Sequence, residues 1–504
     1  MRRKKLFKPV IAGILLASLI SITACNGCLA VSDMVAKTTG APEETAAEIN
    51  VPETGESITI AEETQNETKA DGETITLKLG IYPSSDYDKA YIEQHDGYIS
   101  RLTTDNPSIT VEKSPYFFDS DEFPSLMESG SCPTVFSVTD SDFKWLISKD
   151  YIRDITDILM ERGWLDSMVE SFRNNVSEND KVYGVPAYNY GYGLMVNIDL
   201  FKAAGLVDEN AIPKYPSTWD ELIEYSKIIR ETTGKAGFCL NAGDCSFEVP
   251  FAVLAKSYGA ELVFTNDDGT RTTNLDSKEA IEIMKLIRSL KWDYDILTDD
   301  PAADTWISGY EHIAAGDAAM YLTAEDALNQ PVENGLGLDK FAIGPVPGGP
   351  AGAYFPIGSE IYVFPKDATD AQINAALDYL VLMGKTPVVT DEVKEGILND
   401  AKTANEQGIP VIKPVSCWSN SELEGIYDEA LEKYGNIYTS LYDAFLESSQ
   451  SRENFNLFSY PHKIFHVLGA VAQEVLGDPD ADVETLMKKA DKEAQDILDD
   501  PDAQ

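Results

Sequence analysis

The chain reads as an α/β protein built on a doubly wound parallel sheet, and two observations predict it. From Ile75 onward, short alternating or wholly apolar runs recur between longer stretches of helical periodicity, the order expected of parallel strands joined by crossover helices. The chain also has 504 residues, 43% of them hydrophobic, enough to bury a sizeable core in two or three domains of ordinary size. The first strand is expected at ITLKLGIY, which alternates apolar and polar residues. A helical stretch over Asp86–Asn106 precedes the strand-like ITVEKSPYFF, and a helix over Glu122–Glu128 precedes the apolar CPTVFSVT. Doubly wound sheets bind ligands outside the carboxyl ends of their strands. The loops Tyr82–Asp86, Phe117–Asp119 and Thr139–Ser141 are therefore expected to line one edge of a cleft.

Ahead of the strands stands an export signal. Arg2, Arg3, Lys4, Lys5 and Lys8 form a basic n-region, and Val10–Ile22 is an apolar run too short for a comfortable membrane span. Ile22-Thr23-Ala24-Cys25 resembles the bacterial lipobox, which implies a diacylglycerol on the Cys25 sulfur, cleavage before it and acylation of the new amino terminus. Two or more acyl chains, at about 0.8 kcal/mol per buried CH₂, hold a protein stably to a bilayer. The alternative is an ordinary cleaved signal with Cys25 incidental. From Asn26 to about Thr74 the sequence is rich in Thr, Glu, Ala, Ser and Gly and has no sustained apolar periodicity. It is expected to be a disordered acidic tether with an r.m.s. span on the order of 40 Å.

Charge narrows the partners. Forty basic against 85 acidic residues give −45, and loss of the five leader charges leaves about −50. Such a surface repels phosphate backbones, so no nucleic-acid partner is expected. Besides Cys25 there are Cys28, Cys132, Cys239, Cys245 and Cys417, an odd number that leaves a thiol over. Cys239 and Cys245 bracket a short loop, and a disulfide there is one reading in an oxidising compartment. The cysteine spacings match no zinc knuckle, and there are only four histidines. His462 and His466 at i, i+4 are better read as part of a packed amphipathic helix than as a metal pair. No metal or cofactor is expected. Gly384-Lys385-Thr386 resembles the end of a phosphate loop, but Tyr379 stands where its first glycine belongs. The glycine-rich Gly344–Gly349 contains prolines that remove amide donors. Neither a G-x-S-x-G elbow nor an H-E-x-x-H helix occurs in the sequence.

The middle of the chain runs KVYGVPAYNYGYGLMVNIDLFKAAGL into YPSTWDELIEYSKIIRETTGKAGF. The first is an aromatic and glycine-rich segment leading to a strand and a short helix. The second is a helix opened by Ser217 or Thr218 with acidic residues in its first turn, and Trp219 is expected as a packing anchor. Tyr188, Tyr190 and Tyr192 alternate, so an extended segment projects them to one side.

Tyr-Gly-Val-Pro, Val-Asn-Ile-Asp-Leu-Phe-Lys-Ala-Ala-Gly and Pro-Ser-Thr-Trp-Asp-Glu-Leu within Val182–Phe238 resemble the extracellular solute-binding protein family 1, the maltose-binding-protein-like group. Four further blocks resemble it in the same order: LAKSYGAELVFTNDDGTRTTNLD, GYEHIAAGDAAMYLTAED with Ile313 in place of a phenylalanine, FAIGPVPGGP with YFPIGSEIYVFPKDA, and the closing VAQEVLGDPDADVETLMKKADKEAQDILDD.

The resemblance implies a type II periplasmic-binding-protein fold, two doubly wound lobes joined by a hinge that the chain crosses more than once. It implies crossings near Ala187–Tyr192, Ile307–Glu325 and Ala353–Phe364. The expected division is a signal peptide at 1–24, the lipidated cysteine and tether at 25–74, and the first part of the N-terminal lobe at 75–187. The first part of the C-terminal lobe is expected at 188–306, hinge crossings and a returning N-lobe segment at 307–364, and the rest of the C-terminal lobe with its closing helices at 365–504. Segment Asp391–Tyr460 is longer than a minimal member needs.

Sugars are held by aromatic faces with carboxylates, amides and hydroxyls at their edges. Positions matching the family's ligand loops are Tyr82, Ser85, Asp86, Asp119, Thr139, Asp140 and Ser141 on one lobe and Phe247 and Glu248 on the other. Trp306, Glu325, Asp326, Ser359 and Glu360 come from the returning segment, Tyr188, Tyr190 and Tyr192 from the hinge, and Tyr460 from before a C-terminal helix. The implied protein is a monomeric, lipid-anchored receptor outside the bacterial cell membrane that captures a small polar solute, a mono- or oligosaccharide, and delivers it to an ABC permease without catalysis. The rival readings are a surface lipoprotein glycan hydrolase and a sensor subunit.

Overall fold

The computed structural model describes residues 74–499 except 86, 88, 121, 267–269 and 458–461. The signal, Cys25 and the tether lie outside the described residues. Strand β1 (Ile75–Leu79), helix α1 (Lys89–Asp105), strand β2 (Ile109–Lys113), helix α2 (Phe123–Ser129), strand β3 (Phe136–Thr139) and helix α3 (Asp140–Ser148) follow in order. β1 and β2 pair in parallel, with Ile75 opposite Ile109, and a parallel bridge from Leu79 to Val135 brings β3 alongside. Leu77, Leu79, Val135, Phe136 and Val138 face the core, which is why these short runs carry so few polar residues.

The long strand β4 (Gly184–Asn197) joins the two halves of the molecule. After it come α4 (Trp219–Thr233), α5 (Glu248–Tyr258), α6 (Lys278–Trp292), α7 (Trp306–Ala315), β5 (Met320–Ala324), β6 (Phe341–Gly344) and β7 (Phe355–Val363). Up to Gly191, β4 runs antiparallel to β7, which pairs on its other edge with β3. From Tyr192 onward β4 pairs instead with β5, and from Leu194 also with β6. One strand thus belongs to two sheets, and the switch falls between Gly191 and Tyr192. Gly191 is required there, since a Cβ would lie 2.6 Å from the Glu325 carboxylate and would overlap the Phe355 ring. In the second lobe Thr218 caps α4 by accepting from the Glu221 amide at 3.2 Å, and Trp219 is buried and donates to the Ser257 hydroxyl at 3.0 Å.

The remaining elements are α8 (Asp370–Leu382), α9 (Asp391–Gln407), α10 (Ser421–Tyr434), the short strand β8 (Asn454–Asn456), α11 (His462–Gly477) and α12 (Val483–Asp499). They correct the expected division of the chain. β5 pairs with the second half of β4, so residues 320–324 lie in the second lobe, and the chain returns to the first lobe between Gly344 and Phe355. α8 belongs to the first lobe rather than the second. Its Gln372 side chain donates to the Thr76 carbonyl of β1 at 3.1 Å, and its Tyr379 hydroxyl lies 2.6 Å from Nδ1 of His95 on α1.

The long addition starts as a hairpin of α9 and α10. It is stitched to the first lobe where the Val169 amide donates to the Cys417 carbonyl at 3.0 Å and the Ser419 amide to the Ser167 carbonyl at 2.7 Å. β8 then pairs in parallel with the start of β7. α11 and α12 close the second lobe, where Trp292 of α6 donates to the Val475 carbonyl at 2.9 Å. Ile464 and Phe465, between the two histidines of α11, are buried in the core.

Cys239 is a free, buried thiol, so the suggested bridge to Cys245 is not formed. Its backbone pairs beside Tyr321 of β5, and its sulfur turns to the buried Asp304 carboxylate at 3.8 Å. Burial and that carboxylate raise the thiol's pKa. Among the described residues no helix is long and apolar enough to cross a membrane.

Candidate functional site

Where β4 changes sheets it lays down a row of aromatic rings. Tyr190 stands opposite Gly358 of β7, Tyr192 opposite Ala324 of β5, and their ring centroids are 5.6 Å apart. Tyr192 lies 6.1 Å from Trp306 at the start of α7, and Trp306 packs at 5.3 Å from Tyr310 and 5.8 Å from Tyr321. Trp306 is half-buried, whereas the two tyrosines are 3% exposed. The row therefore starts on one lobe and ends on the other. Tyr188 is the next even position of β4, opposite Glu360 in the backbone register.

Carboxylates flank the row. Glu325 follows β5 and is buried; its Oε2 accepts from the Gly191 amide at 2.6 Å and its Oε1 from the Val415 amide at 3.5 Å. One side chain thus ties the crossing point of β4 to the added segment. Burial, with the neighbouring Asp326 charge, pushes Glu325 up to about 8, and burial pushes Asp326 up to about 7. Ser359 is buried opposite Asn189, and Glu360 is half-buried.

On the first lobe, Glu360 opens into a cavity of about 200 Å³ that is also lined by the loop after β1, α1, the loop after β2, and residues Lys385 and Asp400. Tyr82 lines it with its hydroxyl donating to Asp96 at 2.8 Å and the Lys113 ammonium 4.8 Å from its ring centroid. Ser85 is exposed on the same loop, and Asp86 lies outside the described residues.

Several expected positions serve local structure. Asp119 is exposed and accepts from the Glu122 amide at 3.2 Å, opening α2. Thr139 precedes α3 and donates to Asp142 at 2.9 Å, and Asp140 and Ser141 are the first two residues of that helix. Phe247 is fully buried 5.7 Å from Phe251, so its ring belongs to the second-lobe core rather than to a solute surface. Glu248 is buried in the first turn of α5, where the helix dipole favours a carboxylate. Tyr460 lies outside the described residues.

Sequence reasoning missed Tyr87, Tyr91, Tyr98, Tyr362, Lys385 and Asp400, all on the cavity wall. Tyr87, Tyr91 and Tyr98 repeat at helical spacing, a readable signal. Lys385 and Asp400 carry no local signal, because only tertiary folding brings them to α1. Among the described residues no cluster of His, Cys, Asp and Glu is suited to a metal ion.

A two-lobed α/β fold whose shared strand carries an aromatic row is the architecture of the maltose-binding-protein-like binding proteins. The family model of bacterial extracellular solute-binding proteins matches residues 96–385. The chain belongs to that family, whose members are binding proteins and not enzymes. A putative binding protein of Brucella abortus is 26% identical over 248 residues, 47% of this chain and 56% of the relative. The chain therefore matches little more than half the length of that relative. A multiple sugar-binding protein of Streptococcus mutans is 25% identical over 198 residues, 38% of this chain and 44% of the relative. Among solved structures, an ABC substrate-binding protein of Listeria monocytogenes in complex with cycloalternan has a TM-score of 0.59 at 18% identity, covering 84% of this chain and 99% of that one. At that identity the likeness is one of fold.

Proposed function

We propose that this chain is the carbohydrate-capturing receptor of an ABC importer, held to the outer face of the cell membrane through a lipid on Cys25. The observation that carries the sugar reading is the row Tyr190, Tyr192 and Trp306, laid across the point where β4 passes between lobes. Aromatic faces take the C–H faces of a pyranose; Trp306 is the half-buried ring of the row, the buried Tyr190 and Tyr192 set its place, and the half-buried Asp326 and Glu360 offer acceptors for the hydroxyls. The sugars named for the Streptococcus and Listeria proteins point the same way. A sugar spanning the row touches both lobes and favours the closed form over the open one.

Titration calorimetry of the full chain against mono- and trisaccharides of glucose, mannose and xylose tests this reading. Saturable binding is expected, with Tyr192→Ala weakening it at least tenfold, about 1.4 kcal/mol. Absence of binding across the panel would overturn the carbohydrate assignment. For the anchor, Cys25→Ser is expected to bind sugar normally but to leave the membrane fraction; its retention there would overturn the lipid reading. Cells lacking the chain are expected to lose uptake of the bound sugar, which a purely sensory role would leave intact.

A further inference from the structure

We propose that Asp304 and His312 act as a positioning pair for Trp306, closing across the start of α7 a bond that holds its ring where the second lobe meets a sugar. The inference rests on the carbohydrate reading and deepens it by naming two residues that act on the sugar only through Trp306.

Trp306 is the first residue of α7, its ring is half-buried, and its backbone is pinned from both sides. Its amide donates to Oδ2 of Asp244 at 3.2 Å, and its carbonyl accepts from the Tyr321 hydroxyl at 3.0 Å. A helical side chain leaves the backbone in a direction fixed by the helix, so the setting of α7 decides the setting of the ring. Asp304 governs that setting. It is buried two residues before Trp306, and its main-chain carbonyl accepts from the Gly243 amide at 2.8 Å. Its Oδ1 lies 2.9 Å from Nε2 of His312 in the second turn of α7, and accepts from the Ser308 hydroxyl in the first turn at 3.5 Å. Its Oδ2 accepts from the Thr298 hydroxyl and faces the Cys239 sulfur at 3.8 Å. One carboxylate therefore ties the first two turns of α7 to the loop before it and to the strand edge beside β5, and Trp306 lies inside that closed set of bonds.

The His312 arm carries the charge. Its bond to Asp304, helped by the charges of Asp304, Asp317 and Glu311, raises the imidazole above its ordinary 6.5 against the opposing effect of burial. Asp317, in the turn after α7, is itself paired with Lys235 at 2.8 Å. The Cys239 thiol stays protonated because burial raises it. Below about pH 6.5 the arm is an ion pair, and as pH rises through the raised pKa it weakens to a neutral hydrogen bond. Glu325, pushed up to about 8, and Asp326, pushed up to about 7, titrate over the same range just after β5. A His312→Gln protein keeps both of those carboxylates, so a pH dependence that it loses belongs to His312.

The test joins two measurements on the full chain between about pH 6 and about pH 9: calorimetric titration with the same trisaccharides, and fluorine NMR of protein carrying fluorotryptophan, in which Trp306→Phe identifies the Trp306 signal. His312→Gln is expected to weaken binding about fivefold at the lower pH, the size of an ion pair near the surface, and less than about twofold at the higher, where the wild type has itself lost the pair. Asp304→Asn, which also disturbs Thr298 and Ser308, is expected to weaken binding about tenfold at both. Without sugar, the wild-type Trp306 signal is expected to shift with a pH step that His312→Gln lacks. If His312→Gln keeps the wild-type affinity, pH profile and Trp306 signal, the positioning pair is overturned and the carbohydrate reading stands. If the Trp306 signal loses its step and affinity does not follow, the sugar does not meet Trp306 and the proposal falls there. If no sugar binds the wild type, both readings fall. Cooperative melting of sugar-free His312→Gln, altered at a half-buried position, separates lost placement from lost fold.

Discussion

The Tyr190 side chain near the cleft owes its placement to the absence of a neighbour's Cβ. Tyr190 lies over Gly358, where an added Cβ would stand 2.5 Å from its Cζ and 2.7 Å from its hydroxyl. Gly358→Ala is therefore expected to lift the ring from its place in the row, costing about 1–3 kcal/mol of stability and weakening sugar binding; melting temperature and calorimetric affinity check it together. Glu325 makes a different residue-scale statement. Its folded pKa of about 8 exceeds its ordinary 4.5, so the native state holds a proton that the unfolded chain gives up. The stability this contributes is complete below about pH 4.5 and is lost as pH rises through 8. His95 has the opposite sign: burial, with the Lys385 charge, lowers it from 6.5 to about 4, so its contribution is present above pH 6.5 and is lost as pH falls toward 4. Melting temperature against pH is expected to show both limbs. Glu325→Gln should flatten the alkaline one and His95→Gln the acid one, and a curve unchanged by either substitution would contradict the assignment.

At the scale of elements, strand β4 decides the architecture, and its role was legible because Tyr-Asn-Tyr-Gly-Tyr-Gly combines alternation with glycine at points of close approach. The alternating ITLKL and apolar FSVT likewise sit in β1 and β3, and Thr218 caps α4 as its position before Trp219-Asp220-Glu221 suggests. The lobe that owns α8 was not legible. That depends on Gln372 reaching Thr76 and Tyr379 reaching His95 across almost 300 residues of sequence, contacts that no local pattern encodes. Cys239 failed for a related reason. The short loop to Cys245 suggests a bridge, while pairing beside β5 turns the sulfur toward Asp304. Peptide mapping without reductant is expected to yield no Cys239–Cys245 cross-link, and a thiol reagent is expected to label Cys239 only after unfolding, since burial keeps it protonated. Recovery of the cross-linked peptide would contradict the placement of the Cys239 sulfur beside Asp304.

For the whole molecule, the two lobes meet through few strands and share one aromatic row, so the free energy of closure comes largely from what lies between them. Tyr190 is paired with β7 of the first lobe, while Tyr192 and Trp306 belong to the second. A sugar held only by the first lobe gains nothing from closure; one that also meets Trp306 does. A change from 1% to 99% closed needs about 10⁴-fold tighter binding to the closed form, about 5.5 kcal/mol, more than a single stacked ring supplies. Contacts from both lobes must combine. Small-angle scattering of the full chain with saturating trisaccharide is therefore expected to show a smaller radius of gyration than the sugar-free protein. Trp306→Ala is expected to retain weakened binding but lose most of that compaction, because the first-lobe contacts survive and the second-lobe contact is gone. Compaction of equal size in Trp306→Ala would mean that closure is driven from elsewhere on the second lobe, and an unchanged radius in the wild type would mean that the lobes do not move on binding at all.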